Sequence, residues 1–128
     1  MKLLLDTHTF IWWDSEPGKL SPQALSLCQD RQNVLLLSVA GIWEMQIKLQ
    51  LDKLKLTIPL ADLIESQQQA NNLDLLPILV THVLALQHLP MHHKDPFDRL
   101  LIAQSNVEDV VIVSNDPVFS KYTDKVLW

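Results

Sequence analysis

Three short, uniformly apolar runs constrain this chain more than anything else in its sequence. Lys2-Leu3-Leu4-Leu5 halts at Asp6, Val34-Leu35-Leu36-Leu37 at Ser38, and Val110-Val111-Ile112-Val113 at Ser114-Asn115-Asp116. Each run is too short for a helix, and none shows the polar alternation of a strand with one wet face. Such runs suit parallel strands covered by helices on both sides. A weaker strand is expected at Leu75 to Ile78, and Lys125-Val126-Leu127-Trp128 reads as an edge strand.

Helical patterns fill the intervals. Ser21-Pro22 puts a capping hydroxyl ahead of a proline at the first helical position. Ser38 is placed to cap a helix running to about Leu51. Further helices are expected over Leu60 to Asn71, over Thr81 to Leu89 and from Asp95-Pro96 onward. Strands alternating with helices imply βαβ units, so the expected fold is α/β, a three-layer α/β/α sandwich with a mostly parallel central sheet. The length of 128 residues suits one domain over 1–128, and 48% hydrophobic residues provide a sizeable core. The lone Cys28 has no partner for a disulfide and reads as a buried small hydrophobe. The opening residues are too short and too acidic for a signal peptide, and no run approaches the roughly 18 apolar residues of a membrane helix. A cytoplasmic protein without a membrane partner is expected.

In open parallel sheets, ligands bind beyond the carboxyl ends of the strands. Asp6 and Asp116 sit there, so they meet on one edge despite their separation in sequence. Glu44 lies on the helix after Ser38 and shares a face with Ala40, Ile47, Leu51 and Lys48. That company turns it inward, against the simpler reading of an exposed Glu44–Lys48 pair. Asp95-Pro96-Phe97-Asp98 matches a helix start, with Asp95 as cap and Asp98 completing a capping box. Asp6 and Asp116-Pro117 also fit capping positions. On spacing alone, capping explains these aspartates about as well as metal binding does.

Convergence favours the metal. Acids gathered in one cleft repel strongly, and a hard divalent cation such as Mg²⁺ or Mn²⁺ relieves that. Zinc fits poorly, since no Cys/His pair has finger-type spacing, and His92-His93 reads as a loop pair near the cleft. The net charge of −5 opposes simple electrostatic binding of nucleic acid. Four of those negative charges belong to the proposed pocket, however, and bound cations would offset them.

The residues resemble the PIN domain family, in particular the toxin subunits of VapBC-type toxin–antitoxin pairs. The match runs from Leu4-Leu5-Asp6-Thr7-His8 and Trp12-Trp13 through Ser38-Val39-Ala40-Gly41-Ile42-Trp43-Glu44 and Lys53-Leu54-Lys55-Leu56. It continues with His93-Lys94-Asp95-Pro96-Phe97-Asp98-Arg99-Leu100-Leu101-Ile102-Ala103-Gln104 and closes with Val113-Ser114-Asn115-Asp116 and Phe119. The resemblance implies a metal-dependent endoribonuclease with catalytic acids Asp6, Glu44, Asp98 and Asp116. Asp6, Asp98 and Asp116 would hold one or two Mg²⁺ or Mn²⁺ ions, and Glu44 would orient or deprotonate the attacking water. Ser114 and Thr7 are secondary site candidates, and Asp95 is an additional acid of this sub-pattern. Products with a 5′-phosphate and a 3′-hydroxyl are implied.

Lys48, His93 and Arg99, with His92 and Lys94, are candidates to meet the RNA backbone. A homodimer masked by a small VapB-like antitoxin is also implied, with the antitoxin's groove near Phe10 to Trp13 and Trp43 to Leu51. Trp12, Trp13 and Trp43 read mainly as core packing, with base stacking as the alternative. Two rival functions remain: a non-catalytic PIN-fold module that binds RNA or protein, and a receiver-type signalling domain. The receiver requires adjacent acids after the first strand, where this chain has Thr7-His8 following Asp6.

Overall fold

The apolar runs become the centre of one sheet. In the computed structural model, which describes all 128 residues, the strands are β1 (Lys2–Leu5), β2 (Val34–Ser38), β3 (Asp74–Leu76), β4 (Val111–Val113) and β5 (Val126–Leu127). Their order is β3-β2-β1-β4-β5, and every pairing is parallel. Leu5 registers with both Leu37 and Val113, so the strands that carry Asp6, Ser38 and Ser114 stop at the same level.

Period-two alternation sorts the side chains between two faces. Leu3, Leu5, Leu35 and Leu37 join one core, and Leu4 and Leu36 join the other. The first core is completed by Phe10 of α1 (Thr7–Ser15), Ala24 and Cys28 of α2 (Pro22–Gln29), Met45 of α3 (Val39–Gln50) and Leu63 of α4 (Leu60–Asn71). The second is closed by Leu101 and Ile102 of α6 (Pro96–Glu108) and by Phe119 in a 3-10 turn. A short α5 (Val80–Ala85) packs on α6. The fold is thus the expected α/β/α sandwich, with an all-parallel sheet, and β5 is its edge strand. No helix is long and apolar enough to cross a membrane. Burial pushes the Cys28 thiol up to about 11, which suits a packing residue rather than a nucleophile.

Two elements differ from the sequence reading. β3 covers Asp74–Leu76 rather than Leu75 to Ile78, because Pro77 has no N–H to extend the ladder. The helix expected over Thr81 to Leu89 stops at Ala85 and tightens into a 3-10 turn, Leu86–His88, ahead of Pro90. The proline disfavours helical backbone in the residue before it.

A buried polar link ties the layers together at the carboxyl edge. Gln104 of α6 is fully buried; its Oε1 accepts from the Ser38 hydroxyl at 2.6 Å, and its Nε2 donates to the Pro77 carbonyl at 3.2 Å. Ser38 in turn caps α3 by accepting from the Ala40 N–H at 3.1 Å. One amide therefore fixes the spacing between α3, which carries Glu44, and α6, which carries Asp98. Replacing it with a side chain of similar volume but no polar atoms strands both partners, at about 1–3 kcal/mol for each buried group left unsatisfied. Gln104→Leu is therefore expected to lower the unfolding free energy by roughly 2 kcal/mol in urea titration. A change below about 0.5 kcal/mol would mean that the link is dispensable.

Candidate active site

The strand order reverses direction between β1 and β4, which makes their carboxyl ends the switch point where ligands bind in open α/β sheets. Asp6 emerges there and is buried. Its Oδ1 accepts from the Thr9 N–H at 2.7 Å, so it does cap α1. Its Oδ2 accepts from the Ser114 hydroxyl. The Ser114 oxygen also accepts from the Asp116 N–H at 3.1 Å and so links the first acid to the last. Thr9 holds the junction from the other side by donating its hydroxyl to the Val113 carbonyl at 2.9 Å.

Glu44 serves both readings entertained for it. It pairs with Lys48 at 3.4 Å, and its other oxygen accepts from the Thr7 hydroxyl at 2.6 Å. Asp95 caps α6, accepting from the N–H groups of Phe97 and Asp98 at 2.9 and 3.2 Å. The capping box expected of Asp98 does not form. Its carboxylate turns instead to His93, with Nε2 at 3.3 Å from Oδ2. Asp116 accepts from the Val118 N–H at 3.0 Å, but a turn and the 3-10 segment Phe119–Lys121 follow it rather than an α-helix.

All four acids line one cavity of ≈ 130 Å³, together with Asp95, Thr7, His8, Lys48 and Leu101. Lysine 48 is the only Lys or Arg among these residues, facing five carboxylates. A larger cavity of ≈ 230 Å³ opens beside Trp13, Cys28 and Asn33 near the amino-terminal start of β2, and Asp30 is its only acid. The acids therefore gather in the smaller one.

The donor set suits a hard cation, but the side chains do not form a ready cage. No three His, Cys, Asp or Glu side chains are disposed to hold one ion between them. Asp6, Asp98 and Asp116 nonetheless line the same cavity. The oxygens are occupied by local donors, namely Thr9 and Ser114 at Asp6, Thr7 and Lys48 at Glu44, and Val118 at Asp116. A site of this kind fits Mg²⁺, which keeps several waters and takes only one or two carboxylates. It does not fit a metal that demands a closed tetrahedral shell.

The basic candidates are more engaged than the sequence suggested. Lys48 reaches the cavity but is paired with Glu44. Arg99 donates to the Pro90 carbonyl at 2.8 Å and to the Tyr122 hydroxyl at 3.1 Å, so it braces the loop before α6. His93 is held between Tyr122 and Asp98. Tyr122 had no sequence signal, because only the 3-10 turn after Asp116 brings it to this loop. His8 was passed over too, although its place two residues after Asp6 was a signal that could have found it. Trp12 and Trp13 pack against the core as expected, whereas Trp43 is 58% exposed and meets Phe97 edge-on.

Asp98 registers the crowding of charge. Burial, then the charge of Asp95, and more weakly Glu44 and Asp116, raise its carboxyl to about 6, against the opposing pull of the His93 hydrogen bond. A carboxyl raised in the folded state stabilises the fold fully below its unfolded value near 4, and that stability is lost as pH rises through 6. At 1.36 kcal/mol per pKa unit, the ionised group costs the metal-free fold about 3 kcal/mol. Metal-free Asp98→Asn protein is accordingly expected to be more stable than wild type by about that much at pH 7. The gap should close towards pH 4 in urea titrations across that range, and a gap independent of pH would contradict the assignment.

Comparison with known proteins agrees with this architecture. No match was found among curated proteins. The structure resembles VapBC2 from Rickettsia felis bound to a DNA fragment from their promoter, with a TM-score of 0.73 and 15% identity over 100% of this chain and 98% of that one. It also resembles a toxin–antitoxin complex from Klebsiella pneumoniae (TM-score 0.61, 12% identity, 98% and 96% covered) and FitAcB from Neisseria gonorrhoeae (0.61, 13%, 98% and 96%). At such identities these likenesses concern the fold. The family model for the PIN domain matches residues 3–125, and with nearly the whole length covered the chain belongs to the PIN domain family.

Proposed function

We propose that this chain is a metal-dependent endoribonuclease and the toxin of a toxin–antitoxin pair. The observation that carries the reading is one cavity at the β1/β4 switch point into which four separate segments deliver Asp6, Glu44, Asp98 and Asp116. Asp6, Asp98 and Asp116 would hold one or two Mg²⁺ or Mn²⁺ ions. A bound ion of this type polarises the phosphoryl oxygen and acidifies water.

The chain's own residues do the rest. Thr7 holds one Glu44 oxygen; the other, now paired with Lys48, would orient the attacking water or take its proton once that pair opens. Ser114 and the Thr9 N–H hold both Asp6 oxygens in place at the cavity wall. Lys48 meets the scissile phosphate once Glu44 turns to its water. Cleavage leaves a 5′-phosphate and a 3′-hydroxyl.

A partner is part of the reading. The similar solved structures include toxin–antitoxin complexes, which supports a small antitoxin. Exposed Trp43 and Val39 on α3 offer it an apolar seat close to the acids. A second copy of the chain is proposed to cover α5. There Val80, Val83 and Leu84 fall on one helical face and all stand exposed, Val80 at 74%. The double substitution Val80→Glu and Val83→Glu should turn a dimer into a monomer in light scattering. A wild-type protein that is already monomeric would remove the second copy from the account.

The alternative, a non-catalytic module, draws on the absence of a preformed three-ligand cage. Purified antitoxin-free protein, incubated with total RNA and Mn²⁺, separates the two. Cleavage is expected, should stop with EDTA, and should fall on the order of a hundredfold or more in Asp6→Asn, since such an ion contributes several kcal/mol. Asparagine caps a helix as well as aspartate does, so that variant should fold. Equal cleavage by Asp6→Asn would overturn the mechanism, and no cleavage by wild type would favour the binding module.

A further inference from the structure

We propose that Tyr122 is a positioning residue for the acidic site: its hydroxyl fixes the tautomer of His93, whose Nε2–H then holds Asp98. The inference rests on the reading of Asp98 as part of a cation site and adds to it a residue that neither the family pattern nor the cavity lining contains.

Three N–H groups converge on the Tyr122 oxygen: the backbones of His92 and His93 and Nη1 of Arg99, each at 3.1 Å. A hydroxyl oxygen has two lone pairs, so these donors more than fill it. Its own hydrogen must go to an acceptor. The fourth partner, Nδ1 of His93 at 2.8 Å, is the only group there that can accept. With Nδ1 accepting, the hydrogen of the neutral imidazole sits on Nε2, the nitrogen 3.3 Å from Asp98 Oδ2.

The phenol ring is itself fixed. His92 meets it edge-on with centroids 4.8 Å apart, and the Arg99 guanidinium carbon lies 5.9 Å from its centre. Tyr122 therefore holds the loop before α6 and sets the direction of the donor that this loop offers. Asp98 has one oxygen engaged by His93, while Oδ1 makes no hydrogen bond within the protein. Outer partners of this kind orient a ligating carboxylate, and their loss typically costs 10–100-fold in metal affinity.

The test has two readings, and the first does not depend on catalysis. Nitrogen-15 NMR of the metal-free protein, at a pH where His93 is neutral, should show an unprotonated Nδ1 and a protonated Nε2. In Tyr122→Phe the single tautomer should give way to a mixture. A protonated Nδ1 in wild type, or an unchanged pattern in Tyr122→Phe, would overturn the proposal even if the protein cuts RNA.

The second reading is Mn²⁺ affinity by calorimetry. Tyr122→Phe should weaken binding by about tenfold or more. The same substitution in a His93→Gln background should have little effect, because glutamine offers its own N–H towards Asp98 whatever Tyr122 does. Equal losses in both backgrounds would assign Tyr122 to loop packing alone. Should wild type bind no Mn²⁺ at this cavity, the cation site fails while the NMR result still decides the tautomer.

Discussion

Like charge gathered at one edge of a parallel sheet and left without matching counter-charge is the constraint from which most features of this protein follow. Five carboxylates share a cavity with a single lysine. They are held mainly by neutral donors: hydroxyls of Thr7 and Ser114 and N–H groups of Thr9, Phe97, Asp98 and Val118. Such donors satisfy carboxylate oxygens but bring no counter-charge. Asp98 registers this setting in a carboxyl raised first by burial and then by the charge of Asp95.

The fold makes that arrangement possible through register and order. β1, β2 and β4 end level with one another, and the sheet changes direction between β1 and β4. Helices begin at the same edge, so the residues that cap them stand around the same opening. Capping and cation binding are thus compatible roles here. Asp6 spends one oxygen on Thr9 and the other on Ser114, while Asp95 holds the start of α6 and adds its charge to the pocket. The Ser38–Gln104 bond sets the distance between the helices bearing Glu44 and Asp98.

Much of this was legible in sequence. Unbroken runs of leucine and valine gave the buried parallel strands, and a serine or aspartate before a helix gave α1, α2, α3 and α6 their starts. The acids could be placed on one edge because position at a strand end is a property of topology. What sequence did not carry was the shape of side-chain contacts across long separations. Nothing local joins Tyr122 to His93, Ser114 to Asp6 or Gln104 to Ser38. Trp43 read as core from its hydrophobicity, yet α3 turns it outward beside Phe97. Nor did sequence show which local donors each carboxylate takes, such as Thr7 at Glu44 or Val118 at Asp116.

These acids are proposed to form one cation site, with Asp6 and Asp98 on its wall. Anomalous scattering from a crystal of the antitoxin-free protein soaked in Mn²⁺ tests it most directly. A peak is expected in the cavity between Asp6, Glu44, Asp98 and Asp116, with most of the ion's coordination made by water. A wild-type cavity empty of Mn²⁺, its carboxylates still bound only to their present donors, would contradict the account.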